Sequence, residues 1–496
     1  MAEIVAFVLY FVAVICIGVY FFMQSKSSSE KDYFLGGRKM GPWVTAMSAQ
    51  ASDMSAWLLM GLPGSILAFG LGQAWIGIGL AIGTSLNWII VAKRLRKFSK
   101  ASGDAITFPQ YLSNRFASTS PVLKIICAIV FLVSFTVYVA SGFVAGTTVF
   151  TTLVPSLDAS VAMIIFVLII LAYTFLGGYK AVCWTDFFQG IMMLIALLAV
   201  PIVICVTKTL DVSALNAVYE YDGVKYAFNS NLFAASWKEI ISGLAWGLGY
   251  FGMPHILVRF MSIEKPSMVK KSATVAIIWV ILSLGAAILI AYFGRMLIGE
   301  ELLTTGNQKL VFIKLARICF PGFIAGLLLA AIIAASMSTA DSQLLVASSS
   351  FTSDIYKPII KKNKVSDKEA LWVGRIVVII VSVIAYFIAS SKGSGAQAIM
   401  NLVENAWGLF GAAFGPVVLL SLFWKRFTYK GAVAGIIAGA VVDAVWCLAL
   451  KSTGIYEILP GFVAGLIASV LFSLLDEKPS EEILAIYDRA TSDIDD

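Results

Sequence analysis

The sequence predicts an all-α integral membrane protein of thirteen transmembrane helices, ten of them forming two five-helix units of opposite orientation. Three observations carry this. The 496 residues are 59% hydrophobic and only 13% charged, with a mean hydropathy of +0.90, far more apolar side chain than a soluble domain uses. Apolar runs of about 20 residues, long enough to cross a hydrocarbon core of roughly 30 Å, recur along the whole chain. Two of these runs are interrupted at their middle, and they stand five spans apart.

The runs fall near residues 2–23, 42–66, 72–92, 122–150, 159–179, 186–206, 238–258, 272–296, 322–350, 369–391, 396–424, 428–450 and 457–475. The first follows no basic segment and is too long for a signal-peptide core, so it reads as a retained extra helix. Residues 42–206 make the first unit, 238–424 the second and 428–475 two C-terminal helices, within a single transmembrane domain over 1–475. Basic residues crowd alternate loops, for example Arg94, Arg96 and Lys97, then Lys265, Lys270 and Lys271. The positive-inside rule then puts the N-terminus outside and the C-terminus in the cytoplasm. The net charge of +7 therefore reports topology rather than nucleic-acid binding. The six cysteines sit in or beside apolar runs without metal-like spacing and read as free thiols. The external segments 207–236 and 297–321 read as a lid, a cap or plain connections. The acidic tail 476–496 reads as a solvated helix or a disordered segment.

The second span, PWVTAMSAQASDMSAWLLMGLPG from Pro42, places Gln50, Ser52, Asp53 and Ser55 at mid-membrane. A carboxylate there costs roughly 2.5 to 3.5 kcal/mol on insertion scales, so Asp53 marks a functional site. Small and polar neighbours let the helix unwind and release carbonyls, which is tolerated where they line a cavity or hold an ion. The seventh span, WKEIISGLAWGLGYFGMPHILVRF from Trp237, is weakened by Gly247, Gly249, Gly252 and Pro254, with Trp246 and Tyr250 one turn apart on one face. Its glycines serve close packing equally well. The matching positions of the two interruptions in an inverted repeat point to a binding site at the membrane midplane.

The ninth span, LLLAAIIAASMSTADSQLLVASSS from Leu327, sets Ser336, Ser338, Thr339, Asp341 and Ser342 in an aliphatic helix. Hydroxyl and carbonyl oxygens suit a hard cation such as sodium, although serines also act as interhelical glue. Ser338 and Thr339 are expected to reach the carbonyls freed at the first break. The single histidine, His255, reads as a packed helix-end residue, and Glu404 and Asp443 as paired or crevice-facing acids. No cluster of histidine with acids, no metal set and no Ser/Lys pair appears, so the sequence does not predict an enzyme. A channel has no need of two paired broken helices.

QASDMSAWLLMGLPG, AWGLGYFGMPHILVRFM and ASMSTADSQLLV, in that order, resemble the solute:sodium symporter family and within it the sodium/proline symporter branch, over nearly the whole chain. The resemblance implies the inverted-repeat fold of the bacterial leucine transporter, LeuT, with an extra N-terminal helix. It implies symport of L-proline with a co-transported sodium ion across the cell membrane by alternating access. A sodium- or proton-coupled symporter of another small amino acid or carboxylate is the alternative. Carried over residue by residue, the sodium ligands are the carbonyls of Ala51, Met54 and Ala335 and the hydroxyls of Ser338 and Thr339. The proline pocket is Ser55, Ala56, Trp57, Tyr138, Trp246, Tyr250 and Pro254, whose aromatic faces suit a pyrrolidine ring and its cationic amine. Asp53, Arg38, Asp186 and Arg375 match coupling or gating positions. Two departures stand out: Ala56 replaces the glycine usual in that branch, and Asp341 replaces a small hydroxyl residue. The second suggests a further cation site from Asp186, Asp341 and Ser342.

Overall fold

In hydrocarbon each backbone N–H and C=O needs a partner within its own segment, so apolar runs of this length become helices. A computed structural model describes residues 1–24, 29–176, 178–392 and 396–492. Among them, ten helices are long and apolar enough to cross a membrane, and the bent pair Trp237–Phe251 with Pro254–Ser262 makes an eleventh. Two more apolar helices, Trp57–Phe69 and Ala159–Ala172, are shorter, at 10–17 residues. They stand where two of the thirteen expected spans were read. The first is short because the chain breaks at Ser55, leaving the Pro42–Met54 helix on one side and the π-helical turn Trp57–Gly61 on the other.

The spans are all helical, as expected, and the chain adds one small hairpin outside them. Strands β1 (Val218–Tyr221) and β2 (Val224–Ala227) pair antiparallel, Val218 opposite Ala227 and Tyr221 opposite Val224. Asp222 and Gly223 connect them with φ of 51° and 75°. Positive φ at both central residues is the type I′ turn that Asp-Gly favours, a signal present in the sequence between alternating side chains. Arg295 anchors this hairpin: its guanidinium donates to Ala217 O and, at 3.1 Å, to Tyr226 O, and lies 4.7 Å above the Tyr219 ring.

The tail also differs from a solvated segment. Ser480 caps a helix over Glu481–Thr491 that buries Ile486 and Ala490. Tyr487 sits 5.3 Å from the Phe98 ring, the Arg115 guanidinium covers it at 5.1 Å, and Asp488 pairs with Lys425 at 2.6 Å. Three consecutive charged residues, Asp476 to Lys478, follow Leu475, but the apolar stripe of this helix is wide enough to dock. Residues 493–496 of the predicted tail lie outside those described.

Two of these helices meet through glycines. A Cβ at Gly83 would stand 2.3 Å from Gly247 O, and one at Gly79 would stand 2.3 Å from Gly243 O. The helices Ala74–Leu86 and Trp237–Ala245 therefore approach at backbone contact, so the glycines of the seventh span provide close packing as well as a break.

Candidate functional site

The site is built where the two breaks face each other. At the first, Ser55 has φ 49° and ψ −175°, close to a region that glycine alone occupies freely. Its Oγ accepts from Trp57 N at 3.1 Å, which fixes the start of the following turn. Ala56 has φ −63° and ψ −13°, ordinary right-handed backbone, so the extra methyl carries no conformational penalty there. At the second break, Trp246–Phe251 form a 3₁₀ turn before Pro254 restarts the helix at a bend of 44°. His255 joins the two, its Nε2 lying 3.2 Å from Ser52 O. It is thus a helix-end histidine, and the carbonyl it meets belongs to the opposing broken span.

The serine-rich helix Gly322–Ser349 crosses the first break. Ser338 Oγ donates to Ala51 O at 2.7 Å and lies 3.2 Å from Ala335 O. The neighbouring Thr339 Oγ1 is buried without a protein partner. Three oxygens of the predicted sodium set, those of Ser338, Ala51 and Ala335, therefore lie together between these helices, and Met54 closes the last turn of the helix that carries Ala51. Such a donor set, neutral and buried, suits a small hard cation.

Beside it lies an aromatic box. Trp57 and Trp246 stack with centroids 5.5 Å apart, Trp407 stacks on Trp246 at 6.4 Å, and Tyr250 meets Trp407 edge-on at 5.0 Å. Asp53 is held inside this box: Tyr250 Oη donates to its Oδ2 at 2.6 Å, and Tyr138 Oη donates to its carbonyl at 3.2 Å. The space left among Asp53, Trp57, Tyr138, Trp246, Tyr250 and their neighbours is about 10 Å³, no more than about one water needs. Trp246 is also the floor of an open vestibule of about 370 Å³ lined by Ser65, Gln73, Glu239, Met400 and Glu404. A larger cavity, about 650 Å³, has no charged lining residue and touches none of these groups.

The structure brings Trp57, Tyr138, Trp246 and Tyr250 to this box, while Ser55 and Ala56 stand at the break just before Trp57 and Pro254 starts the next helix. It adds Trp407, which the sequence reading missed. Gly249 makes room for it, since a Cβ there would lie 2.0 Å from Trp407 Nε1, and that nitrogen donates to Trp246 O at 2.8 Å. The only sequence signal was a tryptophan in the glycine-containing stretch NAWGLFG.

The predicted coupling residues separate. Arg38 lies away from the box, donating to Ser99 Oγ, Met261 O and Ala105 O at 3.0, 2.5 and 2.7 Å and pairing with Asp104 at 2.7 Å. Burial pushes the Arg38 pKa down to about 10, with nearby Arg96 adding to this, so it remains a cation at neutral pH. Partial burial alone would raise the Asp104 carboxyl, but Lys31 and Arg38 hold it below the ordinary carboxylate value. Arg375 is also remote, packed 4.7 Å over Phe175 and 5.2 Å over Trp372. Asp186 does neighbour the site, one helix turn below the sodium set, with Ser342 and Asp341. The expected further cation site is corrected here: the guanidinium of Arg259 stands in it, 3.1 Å from Asp186 Oδ2 and donating to Ser342 Oγ.

Comparison with known proteins agrees with this architecture. The model of the Sodium:solute symporter family matches residues 33–439. A sodium/proline symporter of Haemophilus influenzae is 42% identical over 98% of this chain and 97% of its own length. A high-affinity proline transporter, PutP, of Bacillus subtilis is 44% identical over 93% and 96%. Among solved structures, a Na⁺-coupled sialic acid symporter in its substrate-bound outward-open state superposes with a TM-score of 0.76 at 21% identity, covering 97% of this chain and 99% of that one. Mhp1, a nucleobase-cation-symport-1 family transporter, superposes with a TM-score of 0.52 at 14% identity, covering 92% and 98%.

Proposed function

Because this chain belongs to the sodium:solute symporter family, we propose that it imports L-proline with sodium by alternating access, driven by the sodium electrochemical gradient. As a member of that family it is a multi-pass membrane transporter rather than an enzyme. The observation that carries the reading is the bond from Ser338 Oγ to Ala51 O. It joins the serine-rich helix to the broken span at the point where sodium ligands are needed.

In this mechanism the carbonyls of Ala51, Met54 and Ala335 and the hydroxyls of Ser338 and Thr339 ligate sodium. The ion fixes the first break against the serine-rich helix, and through Asp53 and Tyr250 it sets the adjacent box. Ser55, Ala56, Trp57, Tyr138, Trp246, Tyr250 and Pro254 receive proline, the ring between aromatic faces and the cationic amine toward Asp53. A cavity of about 10 Å³ does not accept proline, so Trp57 and Trp246 part to admit it from the vestibule. Sodium and proline favour the same arrangement, which makes their binding reciprocal. Each sodium moving inward down about 100 mV contributes about 2.3 kcal/mol before any concentration gradient.

The fold consistent with this is thirteen spans, counting the eleven long ones with the two shorter apolar helices. They comprise an extra N-terminal helix, inverted repeats at 42–206 and 238–424 as in LeuT, and two C-terminal helices within 428–475, followed by the tail 476–496. The N-terminus lies outside, and the hairpin and vestibule share that side. Arg38 and Arg375 serve near the cytoplasmic ends. The test is uptake of radiolabelled proline into proteoliposomes under inward gradients of sodium, lithium or protons. Sodium-dependent, voltage-sensitive accumulation is expected. Sodium-driven uptake of another solute but not proline would discard the pocket assignment, and uptake following protons alone would discard the ion site.

A further inference from the structure

The cavity of about 650 Å³ that stands apart from the aromatic box is a groove on the outer surface of the bundle. Leu132 and Val137 of the helix Val122–Leu153 wall one side, Ile376 and Ile384 of the helix Asp367–Lys392 the other, and Tyr356 and Ile360 close one end. That end is the π-helical continuation of the serine-rich helix, Ser350–Ile360, which contains Pro358, a residue without an N–H for the helical ladder. Val133, Ile380 and Ile360 are each more than half exposed along the groove, so it faces the hydrocarbon. Walls of valine and isoleucine offer a polar ligand no partner there. The residues of Asp367–Lys392 that line it run from Val373 to Ile388, about 22 Å along the axis at about 1.5 Å per residue. Half of a hydrocarbon core of roughly 30 Å is about 15 Å, so an acyl chain from the nearer leaflet fits within that length.

The closed end of the groove is basic. Residues 357–369 hold five lysines against two acids. Just past Ile360, Lys362 and Asn363 make a turn with φ of 49° and 62°. Lys361 Nζ lies 5.7 Å over the ring of Tyr356, itself a wall residue. Its pair with Glu369, at 3.0 Å, is exposed on both sides, and such a pair yields readily to a stronger anion. Lys362, Lys364 and Lys368 are exposed and pair with no acid among the described residues, whereas Lys357 is engaged by Glu30. Lysines placed just beyond the apolar part of a span attract anionic headgroups, with their stems along apolar surface and their ammonium groups in water. A neutral lipid would fill the groove and leave these cations unmatched. A soluble phosphate would do the reverse.

We infer that this groove binds one anionic phospholipid, its acyl chain against Val137, Ile376 and Ile384 and its phosphate on Lys361 and the lysines of the following turn. The lipid would adjoin the candidate site without entering it: Val137 lines the groove, and Tyr138, the next residue, donates to Asp53 O at 3.2 Å. A lipid held there braces the helix that carries Tyr138 and the end of the helix that carries Ser338. In the orientation proposed above it belongs to the cytoplasmic leaflet; its binding depends neither on that orientation nor on the solute carried.

The experiment is native mass spectrometry of the delipidated, purified full-length protein with added dioleoyl phosphatidylglycerol or dioleoyl phosphatidylcholine, read beside thermal melts in the same detergent. The wild type is expected to hold one phosphatidylglycerol per chain, with an affinity at least about tenfold above that for phosphatidylcholine, and to melt higher with it by mass action on the folded state. The fourfold variant Lys361→Gln, Lys362→Gln, Lys364→Gln, Lys368→Gln is expected to lose this preference while still binding both lipids weakly. Ile380→Trp fills the groove from its exposed face and leaves the lysines in place; it is expected to weaken the binding of both lipids. Equal wild-type affinity for the two lipids, or an Ile380→Trp protein that keeps its phosphatidylglycerol, overturns the inference. Glycerol phosphate supplies the headgroup without the tail and is expected to leave the melt unchanged. A shift equal to that of phosphatidylglycerol would mean a phosphate site on the lysines alone and also overturns it. So does a wild-type dimer that Ile380→Trp converts to a monomer, since a second copy of the chain then fills the groove. Proline uptake enters none of these readouts, so failure of the transport reading leaves them standing.

Discussion

Ser55 and Ser338 carry different parts of the site, and substitution separates them. Ser55 combines a strained backbone with a hydroxyl that accepts from Trp57 N. Strain of this kind is worth about 1 to 3 kcal/mol, and a net hydrogen bond about 0.5 to 1.5 kcal/mol. Ser55→Gly relieves the first while losing the second, so its melting temperature is expected to stay near the wild-type value. Ser55→Ala keeps the strain and loses the bond, and is expected to melt lower. The comparison is a thermal melt of both in the same detergent, with proline affinity reduced in each. In the proposed mechanism Ser338→Ala acts on the ion instead: it deletes the hydroxyl that reaches Ala51 O and Ala335 O. Sodium-titrated uptake is expected to show a half-saturation at least about tenfold higher, about 1.4 kcal/mol, with the order of preference among amino acids unchanged. Unchanged sodium dependence would remove Ser338 from the ion site. Both serines were legible in the sequence, because a hydroxyl in an apolar span is conspicuous. Arg259 was not, since the arginine follows a helix restart and reads as an ordinary helix-end cation.

At the scale of elements, the breaks were legible and the small structures outside the spans were not. Gly247, Gly249 and Pro254 weaken a helix whatever surrounds it, whereas the docking of Glu481–Thr491 depends on Phe98, Arg115 and Lys425 being presented together. The hairpin over 218–227 carried its Asp-Gly signal, but the surrounding composition argued for helices and connections. A third element outside the spans, the short turn Gln308–Leu310, gives a pH prediction. Lys309 is buried there, and burial alone pushes its pKa down to about 8. Between about pH 8 and the ordinary lysine value of about 10.4, the unfolded chain binds more protons at this position than the folded one. Stability therefore rises with pH across that window, and below it the charged lysine is a standing penalty. Lys309→Met is expected to raise the melting temperature at pH 7, with the gain shrinking as pH approaches 10.4. An equal gain at both pH values would mean that the effect is packing alone.

At the scale of the molecule, the aromatic box and the vestibule describe one conformation of a transport cycle. Trp246 floors a space of about 370 Å³ and roofs one of about 10 Å³, so its displacement connects the vestibule to Asp53. Trp246 lies within stacking distance of both Trp57 and Trp407. If sodium and proline part these rings, intrinsic tryptophan fluorescence is expected to change when both are added. Sodium alone is expected to give a smaller change, and the signal is expected to vanish in Trp246→Phe. A wild-type spectrum indifferent to both ligands would mean that the box does not open for substrate. Arg38 contributes at this scale by fastening the segment before the first broken span to Ser99, Ala105 and Met261.

The sequence by itself determined the membrane class, the positions of the two interrupted spans and the oxygen-rich turn at Ser338, because each follows from local chemistry. A polar atom in hydrocarbon needs a partner, a glycine-proline stretch interrupts a helix, and a run of about 20 apolar residues is long enough to span a bilayer. Only the tertiary structure decided which partner each polar group received. Asp53 pairs with Tyr250 from the opposite break, Trp407 enters through the space left by Gly249, and Arg259 occupies the place between Asp186 and Ser342. These pairings join residues far apart in the chain, and their geometry is set by how closely the helices pack, which no local pattern encodes.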